Sequence, residues 1–167
     1  MKYPSIVVLS LALALSLGGQ ISAQTQVTVT GNMYLTDNMK FLPIDKDHAM
    51  IFANDQAGVY VTNNGKGSFN NLAVRCIWIA SHEPGRDHWY GFATTTDSDG
   101  DNIFWELHEG TAPHSGIAKI VWGSGKFEGI EGTTEYTQIE KMLPDGTRLT
   151  MMPNQVWKLT LKKPLPY

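Results

Sequence analysis

The run Asn102-Ile103-Phe104-Trp105-Glu106-Leu107-His108-Glu109 puts a carboxylate and an imidazole two residues apart. Alternate residues of a strand share a face, so Glu106 and His108 would project together as a general base and a general acid, provided a dry cavity shifts their pKa values. Cyclase or isomerase chemistry is what that pair offers. The alternative is a solvated outer barrel face, which antiparallel sheets commonly present. Arg75 stands in the apolar run Leu72-Ala73-Val74-Arg75-Cys76-Ile77-Trp78-Ile79, as a candidate for fixing a ligand carboxylate or joining a buried ion pair. An outward-facing surface arginine is its other reading.

Asp97, Asp99 and Asp101 alternate around Gly100 and could offer hard oxygen ligands to calcium. The spacing departs from the EF-hand loop, which wants glycine at its sixth position and glutamate at its twelfth, and a hairpin tip with Asp-Gly explains the same residues. The five histidines, His48, His82, His88, His108 and His114, show no metal-ligand spacing, although separate strands could still assemble a site. No metal or other cofactor is expected. Cys76, the single cysteine, excludes an internal disulfide and reads as a buried inert thiol. Ser124 between two glycines lacks the strand-to-helix elbow of a nucleophilic serine.

These residues sit on short strand-like runs, chiefly 26–30, 48–53, 58–62, 71–80, 88–96, 102–109, 116–122, 133–142, 148–151 and 155–162, separated by turn chemistry such as Asn63-Asn64-Gly65 and Pro144-Asp145-Gly146. No stretch has helical periodicity, so neighbouring strands must pair antiparallel, and a closed barrel or a sandwich is the natural outcome. One face of 102–109 holds Ile103, Trp105 and Leu107, the other Phe104, Glu106 and His108. Spacing alone leaves open which face is inside, because a one-residue slip exchanges them. Trp78, Trp89, Tyr90, Trp105, Trp122, Tyr136 and Trp157 all fall on these runs, as core or as the lining of a cup for an apolar ligand, with Arg75, Trp78 and Trp105 the ligand-binding candidates.

Between two strands lies Gly123-Ser124-Gly125-Lys126-Phe127-Glu128-Gly129-Ile130-Glu131-Gly132. Its four glycines, Gly123, Gly125, Gly129 and Gly132, suit a tight connection in which Phe127 plugs one barrel end. A phosphate loop is disfavoured, because no helix or Walker Lys-Ser/Thr pair follows. This stretch resembles the Gly-Thr-Gly-x-Phe-x-Gly-x-x-Gly signature of allene oxide cyclase and dirigent proteins. With Val74-Arg75-Cys76, the Asp97–Asp101 turn and Leu143-Pro144-Asp145-Gly146, it is similar to secreted bacterial barrel proteins of unknown function over residues 70 to 162. The resemblance implies an all-β, calycin-like antiparallel barrel of about eight strands, often oligomeric. Dirigents use Asp and Arg side chains in the cavity, but the shared signature is a structural turn, so no catalytic role carries over.

The chain has 167 residues, 42% of them hydrophobic and 17% charged, with 13 basic against 16 acidic side chains and a formal charge of -3. That argues against nucleic acid and anionic membranes as main partners. Lys2, the uncharged run 6–17 and Ile21-Ser22-Ala23 read as a secretory signal over residues 1–23, leaving one barrel domain over 24–167 in a secreted or periplasmic setting. The apolar run is too short to span a bilayer. Three functions remain. One is a non-enzymatic barrel binding a small apolar or amphipathic ligand, the second a cyclase or isomerase using Glu106 and His108. The third is a packed barrel whose segments 97–101 and 31–47 meet a protein partner; self-association into a homo-oligomer is compatible with any of the three.

Overall fold

The computed structural model describes residues 24–83 and 86–165, so the expected signal segment lies outside the described residues. Ten strands are present: β1 (Thr25–Asp37), β2 (Lys40–Pro43), β3 (Ala49–Thr62), β4 (Leu72–Glu83), β5 (Arg86–Thr96), β6 (Asn102–Glu109), β7 (Ser115–Gly123), β8 (Glu131–Thr137), β9 (Ile139–Met142) and β10 (Arg148–Leu161). Eight of them close a wholly antiparallel barrel in the order β1-β10-β8-β7-β6-β5-β4-β3, with β3 returning to β1. The two short strands extend the rim, β2 on β3 and β9 on β10. No helix among the described residues is long and apolar enough to cross a membrane.

Alternation decides what faces inward. On β6, Ile103 and Trp105 are buried, and on β10 so are Trp157, Leu159 and Leu161, while Val156 and Lys158 are exposed. Three bulges shift this parity, one of them on β7 between Ile120 and Trp122. On β3 the register jumps between Ala53 and Gln56, and both residues point inside. On β10 the jump falls between the β1 partners Gly31 and Met33, where Pro153 and the left-handed Asn154 (φ 51°) separate inward Met152 from inward Gln155.

These bulges explain the main differences from expectation. Runs 48–53 and 58–62 are one strand, as are 148–151 and 155–162, because Asn54-Asp55 and Pro153-Asn154 bend strands without ending them. Run 133–142 divides at Gln138 into β8 and β9. Of the segment 31–47, expected to be exposed, residues 31–37 belong to β1 in the barrel wall, with Met33, Leu35 and Asp37 buried, while Lys40–Pro43 of β2 is exposed.

One end of the barrel is sealed. The connection after β7 forms a single 3-10 turn at Gly125–Phe127, which drives Phe127 to zero exposure against Phe69, 5.5 Å between ring centroids. Gly125 (φ 55°) and Gly129 (φ 71°) hold the left-handed angles this turn needs, and a Cβ on Gly125 would strike the Asp101 carboxylate. Behind Phe69 stands Trp157, stacked on Tyr60 at 3.9 Å. These rings fill the sealed end.

Candidate ligand-binding cavity

Above that plug the barrel is hollow. A cavity of about 1000 Å³ opens at the opposite end, where Met39, His82, Trp89, residues 110–115 and Glu140 of β9 are among its lining. Eight-stranded barrels hold a single small ligand, and this volume lies at the upper end of the range for small-molecule sites. The interior is therefore not packed solid.

The inner part is apolar and aromatic. Trp105 and Trp157 meet at 4.8 Å, beside the cross-strand pair Met33 and Met152. Their polar atoms are satisfied within the wall: Trp105 Nε1 donates to Thr95 Oγ1 (3.1 Å), and Trp157 Nε1 donates to Gln155 Oε1 (3.2 Å). Indole faces, with their hydrogen bonds already made, are what a ligand meets here.

Midway up, a charged cluster interrupts this surface. Arg148, the first residue of β10, donates from Nε to Asp37 Oδ1 (3.1 Å) and from Nη2 to Asp37 Oδ2 (2.6 Å). Its Nη1 donates to Glu140 Oε1 (2.8 Å), and its guanidinium lies 4.7 Å over the Trp78 ring. Asp37 and Arg148 are cross-strand partners, and their side chains are 1% and 7% exposed, so the two-pronged pair is buried and geometrically matched. Gln56, turned inward by the β3 bulge and paired in register with Cys76, adds an amide with no hydrogen bond to another described residue. Burial, and then the nearby Asp37 charge, push the Cys76 thiol up to about 12, so it stays protonated and unreactive.

Trp78 and Trp105, two of the residues singled out from sequence, line this cavity. Arg75 does not. It faces outward and pairs with Asp55, both more than half exposed, which corrects the expectation of a cavity cation. The residue in that position is Arg148, which sequence reading passed over.

Glu106 and His108 do share a strand face, and that face is the outside of the barrel. Tyr90 donates to Glu106 Oε1 (2.7 Å), and His108 Nε2 lies 3.5 Å from Glu106 Oε2, with His108 48% exposed. The Tyr90 hydroxyl hydrogen bond holds the Glu106 carboxyl below its usual range, which weakens it as a general base. Their inward neighbours are Trp105 and Leu107, so neither reaches the cavity. The proposed acid-base pair is thereby removed.

The aspartate turn is likewise paired internally. Lys126 Nζ pairs with Asp97 and with Asp99 Oδ2 (2.9 Å), while the Lys126 backbone N–H donates to Asp101 Oδ2 (3.0 Å). An ammonium group thus takes the place a calcium ion would have had, and no group of three metal-ligating side chains stands among the described residues. The cluster ties the hairpin to the Phe127 plug.

No protein-family model and no curated protein matches the chain. Among solved structures it is similar to the pterocarpan synthase dirigent protein GePTS1, with a TM-score of 0.51 at 10% identity, covering 86% of this chain and 90% of that one. It also aligns with the pterocarpan synthase dirigent protein PsPTS1, at a TM-score of 0.48 and 12% identity over 83% of this chain and 95% of that one. The first likeness identifies the fold as a dirigent-type antiparallel barrel. At that identity it speaks for the fold alone.

Proposed function

We propose that the protein is a secreted or periplasmic barrel that binds one small amphipathic molecule, its apolar body among Trp105, Trp157, Met33 and Met152 and its polar end at the Arg148 level. The open, aromatic-lined cavity of about 1000 Å³ carries this reading. A void of that size in a wall otherwise well packed costs contacts, and occupancy by a ligand restores them. The cyclase reading through Glu106 and His108 has no support, since both stand on the outer wall. Native mass spectrometry of the mature chain, prepared without detergent from an envelope fraction, tests the proposal: a reproducible added mass on the folded species supports it, and a clean apoprotein mass counts against it.

A second copy of the chain is the proposed cover for the outer face of β4–β7. There Tyr90, Phe92, Phe104 and Trp122 form a ladder of rings 5.1 to 5.8 Å apart, flanked by exposed Ile77 and Ile79. Contiguous apolar surface of this kind marks an interaction site. Light scattering on the wild type and on Ile77→Asp tests it, with an oligomer that the substitution dissociates as the expected result.

A further inference from the structure

We infer that the cavity selects a neutral or positively charged aromatic amphipath and rejects carboxylates, a reading that rests on the barrel being a ligand cavity. The charge arrangement carries it. Arg148 is the only lysine or arginine among the described residues lining the cavity, and two carboxylates already hold it. With Asp37 and Glu140 ionised, that trio has a net charge of -1. A ligand carboxylate approaching the free N–H bonds of Arg148 would meet both acids at close range, in a site of low dielectric where such repulsion is strong.

The rim adds a third acid, one with partners of its own. Glu109 also lines the cavity, accompanied by His88 at 3.1 Å. Trp89 is another lining residue. An aromatic face beside a carboxylate is the arrangement in which the cavity already holds the Arg148 guanidinium, between Trp78, Asp37 and Glu140. A ligand ammonium reaching that level would meet the net negative charge of the trio. Deeper in, Trp105 and Trp157 accept a planar body, and the Gln56 amide is open to a neutral donor or acceptor.

The test is calorimetric titration of the full mature chain at pH 8, above the ordinary imidazole range, with three probes of matched shape: 1-naphthylmethylamine, 1-naphthalenemethanol and 1-naphthoate. The expected result is an amine at least as tight as the alcohol and a carboxylate weaker than the amine by about 30-fold, the order of effect of a nearby partly buried charge. Glu140→Gln, which keeps an acceptor oxygen for Arg148, should narrow that gap. Equal affinities, or tightest binding by the carboxylate, overturn the inference and leave the cavity reading standing. Failure of all three to bind overturns both.

Discussion

Arg148 and Asp37 are 111 positions apart in sequence and form a two-pronged buried ion pair across β10 and β1, on the wall of the barrel cavity. The pair closes the barrel where β1 leaves the wall. It also supplies the polar level in an otherwise aromatic interior.

Removing one partner strands a buried charge. Asp37→Asn should lower unfolding free energy by about 3 kcal/mol, as does breaking one side of other buried ion pairs, whereas Arg148→Met combined with Asp37→Leu should recover part of that loss. Urea unfolding of both variants checks this. A double variant at least as unstable as Asp37→Asn would contradict it.

The plug should respond as core. Phe127→Ala removes a ring with zero exposure at the sealed end, and a loss of about 3–5 kcal/mol is expected from cavity formation. Gly125→Ala should also destabilise, because its left-handed backbone and the Asp101 carboxylate leave no room for a Cβ. Thermal unfolding measures both.

Burial opposes ionisation of Asp97, yet the Lys126 ammonium and the backbone N–H groups of Asp99 and Asp101 outweigh it and hold the carboxyl below its ordinary range. A lowered native pKa contributes stability that is present above the unfolded value and is lost as pH falls through the native one. Stability should therefore drop below about pH 4, and the drop should be shallower in Asp97→Asn. Millimolar calcium should leave the wild-type melting temperature unchanged, since Lys126 occupies the carboxylates.

The outer face should be silent in ligand binding. Glu106→Gln and His108→Ala should leave the affinity for 1-naphthalenemethanol within about twofold, while Trp105→Leu, which removes an indole from the cavity wall, should weaken it about tenfold, equivalent to about 1.4 kcal/mol. Equal losses from both sets would contradict the assignment of inside and outside.

Much of the fold was legible because its signals are local. The alternation of Ile103, Trp105 and Leu107 against Phe104, Glu106 and His108 defines a two-faced strand, and the glycine spacing around Phe127 defines the plug. The direction of each face was not legible, because parity depends on the bulges at Asn54-Asp55 and Pro153-Asn154, whose residues read equally well as turns. Arg148 was missed for a related reason. Two residues after Asp145-Gly146 it looks like a surface charge, and nothing nearby signals its partner on β1. Its shared parity with Thr150 and Met152, both buried, was the available clue. Arg75, in a strongly apolar run, drew attention instead, although Asp55 lay on the bulge beside it.

Filling the barrel interior decides whether it is a ligand site or a packed core. Ala118 on β7 is 4% exposed and lines the cavity. Ala118→Phe should abolish calorimetric binding of 1-naphthalenemethanol while leaving thermal stability equal to or above that of the wild type. In a packed interior the added ring would cost about 1–3 kcal/mol through overpacking, so a destabilised variant that still binds the probe would contradict the account.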